Sequence, residues 1–369
     1  MTPLRIGIDA LYLSPGGVGG SEIYLRSLTR ALCALATPHR FTVFTNQETP
    51  SGLFPAHPNW EVRQTGVHAI NRPARLLYEQ FLLPLQCAGL DVLFCPGFTA
   101  PALAPCPTVT TIHDLQHMRH PECFRWFELP FWRYFVWQSV RTSRRIIAVS
   151  EATRSDLRHY HATSGEQVAV VWHGVDEEFS EVRRRRGERR AEAILLCPST
   201  THAHKNHARL VRVFRRFRAA HPEWRLLLTG VRGFADETVR DQIERTEEDS
   251  GVVSLGWLPR EELYACFERA AAVIYPTTFE GFGLPVLEGL AAGVPTACSG
   301  IEPLRTIAGD AAVFFDPTSE DSMLGALERT ALNQELRAHL SQAGPERASQ
   351  FTWRKCAETT LAVLLDAAR

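Results

Sequence analysis

The sequence predicts an α/β protein made of two doubly wound domains, each with a parallel sheet covered by helices. Strand-like apolar runs alternate with helical spacings along the 369 residues, which is typical of parallel sheets. The alternation stops once, at an arginine-rich segment over residues 179–192, and then starts again. The length allows two full cores. We therefore predict two facing Rossmann-like domains with a ligand cleft between them.

Composition excludes several classes of protein. An apolar content of 45% with 22% charged residues is that of a soluble globular protein. The formal net charge of −1 gives no argument for a nucleic-acid partner. The 9 cysteines are scattered without Cys-x-x-Cys spacing, so we expect reduced thiols in a cytoplasm. We expect neither a signal peptide nor a membrane-spanning helix, which needs about 18 apolar residues.

The first domain is predicted over residues 1–178. Its strand-like segments are residues 4–9, 41–45, 60–65, 91–95, 108–113, 145–150 and 168–172. A glycine-rich turn containing Gly16 and Gly17 lies between the first strand and the first helix. Such a turn can bring backbone N–H groups close to a phosphate, although a plain tight turn explains the same residues.

His113 ends another strand of the first domain, and Asp114 follows it. In open α/β sheets the carboxyl ends of the strands are where ligands bind. A neutral imidazole at that place can donate to a sugar hydroxyl or a phosphate. A histidine that merely caps the next loop is the alternative.

Aromatic residues crowd one helical segment of the first domain. Seven of the twelve residues between Trp126 and Trp137 are aromatic, and Arg141, Arg144 and Arg145 follow. Core packing is the first interpretation. A surface that meets lipid headgroups, or that holds a lipid-linked acceptor, is the second.

The arginine-rich segment 179–192 is predicted to be a solvated linker. A second domain is predicted over residues 193–350, with strands at 193–197, 225–229, 252–255, 271–275, 295–298 and 312–315. The final segment, residues 353–369, has the apolar spacing of a helix and is expected to return to the first domain.

Lys205 is one of only two lysines, the other being Lys355, in a chain whose remaining basic residues are arginine. It lies in a turn between a strand and a helix, where a point charge suits a diphosphate. The chain contains no Asp-x-Asp pair, the usual holder of magnesium on a nucleotide diphosphate. We therefore expect no metal and no cofactor.

Glu280 and Glu288 belong to a strand–loop–helix segment over residues 271–288. Glu280 precedes the predicted start of the helix, and Glu288 lies roughly two turns inside it. Gly281 and Gly283 permit a tight turn, and the helix after them presents N–H donors and a partial positive charge. Such a helix start can hold an anion or a sugar oxygen. Two surface glutamates on an ordinary helix are the alternative interpretation.

Eight segments in this order resemble the motifs of the family-four retaining glycosyltransferases, which have the GT-B fold. They are Gly16-Gly17-Val18-Gly19, His113-Asp114, Ala148-Val149-Ser150-Glu151 with Arg154, His173-Gly174-Val175-Asp176, His204-Lys205-Asn206, Gly256 with Leu258, Glu280-Gly281-Phe282-Gly283-Leu284-Pro285 through Glu288, and Gly309-Asp310-Ala311-Ala312. Two departures are Thr200, where many members have arginine, and Thr306, where an acid is common.

The resemblance implies roles for the matching residues. His113, Lys205 and Glu280 would be catalytic, with Lys205 on the diphosphate and the other two on the donor sugar. Glu288 would bind the ribose, and the nucleobase would lie near residues 256–258. The implied donor-binding residues are Gly16, Gly17, Lys205, Asn206, Gly256, Leu258, Phe282, Gly283, Leu284 and Glu288.

The resemblance further implies transfer of a sugar from a nucleotide diphosphate to a glycan or lipid-linked acceptor, with retention of configuration. The histidine-rich run around Lys205 is similar to that of bacterial mannosyltransferases of surface-polysaccharide assembly, which favours GDP-mannose as donor. The alternatives are a UDP-sugar transferase, a nucleotide-sugar epimerase or an inactive sugar-nucleotide-binding scaffold. We expect a cytoplasmic enzyme, with peripheral contact at the inner face of the membrane as a second interpretation.

Overall fold

The computed structural model describes residues 2–14, 19–188, 191–231 and 251–369, and divides into two units. Unit 1 comprises Met1–Gly174 and Trp353–Arg369, and unit 2 comprises Val175–Thr352. The segment predicted as a linker, residues 179–192, therefore lies inside unit 2. The C-terminal segment lies in unit 1.

Within the described residues of unit 1, seven strands form one parallel sheet in the order β3-β2-β1-β4-β5-β6-β7. They are β1 (Arg5–Asp9), β2 (Arg40–Thr45), β3 (Trp60–Gln64), β4 (Val92–Cys95), β5 (Thr108–Ile112), β6 (Arg145–Ala148) and β7 (Val168–Val170). Ile6 in β1 pairs with Phe41 on one side and Val92 on the other. The central strands are buried because helices cover both faces of a parallel sheet. The predicted parallel sheet is confirmed.

Apart from the C-terminal helix, the helices of unit 1 follow β1, β3, β5 and β6, whereas β2 and β4 each lead to the next strand through a loop without a helix, which departs from the predicted alternation. The helices of this unit are Gly20–Ala34, Arg72–Leu77, Leu83–Gln86, Gln116–Arg119, Leu129–Thr142, Glu151–His161 and Trp353–Ala367, with a π-helical turn at Tyr78–Leu82 and a 3₁₀ turn at Pro121–Cys123. Ser150 caps one of these helices, since its Oγ accepts from the Thr153 N–H at 3.0 Å. Helix Trp353–Ala367 buries Cys356 and Leu364 in the same core as Leu28.

In the part of unit 2 that the structure describes, six parallel strands form a sheet in the order β10-β9-β8-β11-β12-β13. They are β8 (Ile194–Pro198), β9 (Arg225–Thr229), β10 (Val252–Gly256), β11 (Ala272–Tyr275), β12 (Thr296–Ser299) and β13 (Val313–Phe315). The order reverses between β8 and β11, just as it reverses between β1 and β4 in unit 1. Such a reversal is where doubly wound sheets bind ligands.

The helices of unit 2 are Glu178–Gly187, His207–Ala220, Arg260–Arg269, Leu284–Ala291, Leu304–Ala308, Glu320–Leu332 and Gln334–Ala348, with a 3₁₀ turn at Ala203–Lys205. The first of them corrects the prediction of a solvated linker. Its Phe179 and Val182 lie one helical turn apart and are buried beside Phe267. Arg186 donates to the carbonyl oxygens of Phe267, Glu268 and Ala270. Two apolar positions and one backbone-binding arginine thus fix a helix whose composition resembles a linker.

Among the described residues, no helix combines the length and the apolar character needed to cross a bilayer. The nine cysteines, which all fall within the described ranges, are free thiols.

Candidate functional site

Lys205 and Glu280 follow the two strands between which the sheet order of unit 2 reverses. Lys205 lies in the loop after β8, and Glu280 lies in the loop after β11. Because neighbouring parallel strands end at the same edge, the two loops meet at the ligand-binding edge of the sheet. The structure thus brings together two residues that the sequence assigned separately to strand ends.

The two side chains form an ion pair, and both of them also bond to the hydroxyl of Tyr275. Lys205 Nζ donates to Glu280 Oε1 at 2.5 Å and to the Tyr275 hydroxyl at 2.9 Å, and that hydroxyl donates to Glu280 Oε1 at 2.7 Å. The lysine and glutamate side chains are only 15% and 10% exposed, so each charge compensates the burial of the other. Burial and the Glu280 carboxylate raise the pKa of Tyr275 well above its ordinary value. Its hydroxyl therefore stays protonated and remains a donor.

Asn206 fixes the turn that carries Lys205. It has a left-handed backbone, with φ of 60°, and its side-chain nitrogen donates to the carbonyl oxygens of Pro276 and Pro317 at 3.1 and 2.9 Å. The carbonyl oxygen of His204 also accepts from the Thr278 N–H at 2.7 Å. The nitrogen of the Asn206 carboxamide is therefore used inside the protein, where it ties the two loops of the site together.

The helix after Glu280 begins as its glycines predict. Gly283 has φ of 110°, and a Cβ there would lie 2.3 Å from Leu304 Cδ2, so only glycine fits. Leu284 is the first residue of helix Leu284–Ala291, and Pro285 is the second. Phe282 is buried and makes an edge-to-face contact with Phe351. The loop is therefore anchored, and it carries both the Glu280 carboxylate and the start of the helix. An anion next to the start of the helix is electrostatically favoured.

Glu288 lies further inside this helix and is buried in an ion-pair network. Arg260 donates to Glu288 Oε1 at 2.8 Å and to Asp176 Oδ2 at 2.5 Å. The Arg260 guanidinium also lies over the rings of Tyr264 and Phe179, at 5.0 and 5.6 Å. Burial raises the pKa of Glu288, and the charge of Arg260 counteracts that effect. Arg260 was not predictable as a site residue, because 28 residues separate it from Glu288 and no motif contains it.

The segment predicted to lie against a nucleobase ends strand β10. Gly256 has φ of 67°, and its carbonyl oxygen accepts from the Gly230 N–H at 2.8 Å. Leu258 packs against the core around Phe267. Between them, Trp257 is exposed and was not singled out from the sequence. An exposed indole is a suitable stacking surface for a base.

His113 belongs to an aromatic cluster in unit 1. Its Nε2 lies 2.8 Å from the Pro96 carbonyl oxygen, and its ring packs edge-on against Tyr24. Burial lowers the pKa of His113 to about 4, so the ring is neutral at pH 7. Since a carbonyl oxygen only accepts, Nε2 carries the hydrogen and Nδ1 is left as an acceptor. In this tautomer the free Nδ1 of His113 can accept from a hydroxyl, and its role toward a donor sugar stays a prediction.

Gly16 and Gly17 lie outside the described residues. Among the residues that are described, no group of three or more His, Cys, Asp or Glu side chains is arranged to hold a metal ion.

Replacing Tyr275 with phenylalanine tests its part in the cluster. Tyr275→Phe removes a buried hydroxyl that bonds to two charged groups. We expect the free energy of unfolding to fall by about 1.5–3 kcal/mol, measured by urea denaturation. The same substitution at the exposed Tyr134 is the matched control, and a loss no larger than that of the control would remove Tyr275 from the cluster.

Comparison with known proteins places the chain in a family. The family model described as Glycosyltransferase Family 4 matches residues 18–179, and the model described as Glycosyl transferases group 1 matches residues 178–347. The O-antigen chain mannosyltransferase B of Escherichia coli is 25% identical over 69% of this chain and 68% of its own length. The MMP alpha-(1->4)-mannosyltransferase of Mycolicibacterium hassiacum is 27% identical, with 95% and 96% covered.

Solved structures agree in fold at low identity. Sucrose-phosphate synthase from Thermosynechococcus elongatus superposes with a TM-score of 0.79 at 18% identity, over 99% of this chain and 100% of that one. Anabaena HepE in complex with UDP and glucose superposes with a TM-score of 0.74 at 17% identity, over 98% and 99%. With the two family models spanning nearly the whole chain, the protein belongs to the family-four glycosyltransferases and has their GT-B fold.

Proposed function

We propose that this glycosyltransferase transfers mannose from GDP-mannose to an acceptor hydroxyl, with retention of configuration and without a metal ion. We further propose that it acts in the assembly of bacterial cell-surface glycans or glycolipids. The observation that carries the proposal is the Lys205–Glu280–Tyr275 cluster at the strand reversal of unit 2.

The cluster offers one group for the diphosphate and one for the sugar of a nucleotide sugar. The Lys205 ammonium suits the diphosphate, and the Glu280 carboxylate suits the hydroxyls of the sugar. When no donor is bound, each neutralises the other. A bound diphosphate would compete with Glu280 for Lys205, and the sugar hydroxyls would then donate to the released carboxylate. Glu288 would accept from the ribose hydroxyls while Arg260 holds it in place.

The same groups supply the chemistry that the proposal requires. Negative charge develops on the diphosphate as the bond to the sugar breaks, and Lys205 and the start of helix Leu284–Ala291 would stabilise that charge. In a front-face reaction the departing diphosphate takes the proton of the acceptor hydroxyl, so no protein nucleophile is needed. Positioning and charge stabilisation would then account for the rate.

The choice of mannose is supported by the names of relatives, whereas the choice of guanosine rests on the sequence resemblance around Lys205. Two of the relatives are named as mannosyltransferases, one of the O-antigen chain. A UDP-sugar donor is the second candidate, favoured by the UDP and glucose in the HepE structure. An inactive scaffold that only binds nucleotide sugars is the third.

Donor hydrolysis without an acceptor distinguishes these candidates. GDP-mannose and UDP-glucose are each incubated with the enzyme in EDTA or in magnesium, and the sugar is followed by NMR. We expect release of GDP, unchanged by EDTA, with mannose appearing first as the α-anomer of the donor. The β-anomer would contradict retention, and hydrolysis of UDP-glucose alone would favour the second candidate.

A further inference from the structure

Unit 1 contains a large apolar groove that the proposed chemistry does not use. The groove has a volume of about 940 Å³ and lies between residues 70–81 and the helix Leu129–Thr142. Its walls include Leu77, Phe81 and Phe131, whose exposed fractions are 60%, 65% and 64%. Large contiguous apolar surface of this kind marks a binding site. Its walls suit a hydrocarbon chain.

The inner end of the groove reaches the strand reversal of unit 1. Thr99, which lines the groove, follows β4, and its hydroxyl donates to Glu79 Oε2 at 2.8 Å. Glu79 lies in the π-helical turn Tyr78–Leu82 and interacts electrostatically with Asp9, the last residue of β1. Because β1 and β4 flank the reversal, the groove leads from the expected ligand-binding edge of this sheet to its outer surface.

Arg75 supplies a cation at this inner end. It lines the groove, and its Nε is buried without a hydrogen-bond partner among the described residues. The carboxyl groups of Glu79 and Asp9 both act electrostatically on the guanidinium, and burial raises the pKa of each of them above its ordinary value. A buried guanidinium with an unused donor suits an oxygen of a phosphate group.

Aromatic and basic residues together form the outer part of the groove. Phe131 and Tyr134 of the helix Leu129–Thr142 line it together with Arg72, which lies 4.0 Å from the one acidic residue of the lining, Glu128. The same helix exposes Trp137, Arg133 and Arg141 elsewhere on its surface. Aromatic rings interleaved with arginine are typical of surfaces that meet the headgroups of anionic lipids. This charge complementarity favours a lipid over an apolar segment of a protein as the occupant.

We propose that the groove binds one phosphate-bearing lipid molecule, with its phosphate at Arg75 and its hydrocarbon chain between Phe81 and Phe131. The inference rests on the proposed function in one respect: the bound lipid would be the anchor of the acceptor whose hydroxyl is glycosylated. The proposal names a class of ligand for the groove, whereas the transfer chemistry specifies no ligand there.

Titration of the full chain with dodecyl phosphate, kept below its critical micelle concentration, tests the inference. Binding is followed by tryptophan fluorescence, since Trp132 lines the groove. Dodecyl maltoside provides the chain without the charge, and inorganic phosphate provides the charge without the chain. We expect dodecyl phosphate to bind at least about tenfold more tightly than dodecyl maltoside, and inorganic phosphate not to compete.

Three variants localise the binding. Phe131→Glu changes an exposed wall residue and should weaken dodecyl phosphate at least about tenfold. Leu332→Glu, at an exposed leucine of unit 2, is the matched control and should change the affinity less than about twofold. Arg75→Gln should weaken dodecyl phosphate about five- to tenfold and leave dodecyl maltoside unchanged.

Three results would overturn the inference. They are equal affinity of the wild type and Phe131→Glu, competition by inorganic phosphate, and binding to anionic vesicles without binding of the monomeric amphiphile. GDP titration on the same preparations separates the two proposals. If the wild type binds GDP but no amphiphile, only the proposal that the groove binds a lipid is overturned. If the wild type does not bind GDP, the result counts against the proposed function.

Discussion

Replacing Lys205 with alanine is expected to lower turnover about a hundredfold to a thousandfold, the usual cost of removing one group that stabilises charge in a transition state. Lys205→Ala removes the cation at the strand reversal of unit 2 and leaves Glu280 with the Tyr275 hydroxyl. The charge developing on the diphosphate would then be stabilised by the helix start alone. Release of GDP from GDP-mannose at saturating donor measures the effect.

Lys355→Ala is the matched control, because Lys355 is the only other lysine and lies exposed on the helix Trp353–Ala367. It should retain the wild-type rate. Lys205→Arg keeps the charge but replaces a compact ammonium with a planar guanidinium, so we expect partial recovery. Turnover of Lys205→Ala within about threefold of the control would remove Lys205 from the mechanism.

Replacing Arg260 with methionine is expected to lower the free energy of unfolding by about 3–5 kcal/mol, the cost of breaking a buried ion pair on one side. Arg260 bonds to Glu288 and Asp176 at once, and Glu288 is buried. Without the guanidinium the carboxylate of Glu288 must be protonated or remain buried with its charge uncompensated. Urea denaturation at pH 7 measures the loss.

Two companion variants make this result specific. Arg354→Met breaks the exposed pair with Glu358 and should cost no more than about 1 kcal/mol. Adding Glu288→Gln to Arg260→Met removes the uncompensated charge and should recover part of the lost stability. A loss for Arg260→Met equal to that for Arg354→Met would mean that the network contributes nothing to folding.

Every predicted strand segment is present. The central strands were predictable because buried parallel strands are nearly continuous apolar runs. The edge strands β3 and β10 are mostly exposed and are weaker signals of this kind. The helix Glu178–Gly187 was not predictable, because its six arginine and glutamate side chains hide the two apolar residues that pack, Phe179 and Val182. The composition of a short helix is dominated by the residues of its solvent-exposed face. Two residues one turn apart are too few to produce a recognisable period.

The site was predictable only as separate positions. Lys205 and Glu280 each stand after a strand, but their contact depends on which strands are neighbours, and sequence spacing does not give that order. Tyr275 was interpreted as part of a buried strand, which it is, and nothing local indicates that its hydroxyl completes the ion pair. Arg260 reaches Glu288 through tertiary structure alone.

Calorimetric titration with GDP, UDP, ADP and dTDP, without metal and on the wild type and Lys205→Ala, tests the central claim most directly. The account predicts that GDP binds in preference to the other nucleotides and that the substitution weakens this binding at least about tenfold. Preference for UDP would overturn the assignment of GDP-mannose. Absence of binding to all four nucleotides, or equal affinity of wild type and variant, would contradict the claim that Lys205 holds the diphosphate of a nucleotide sugar.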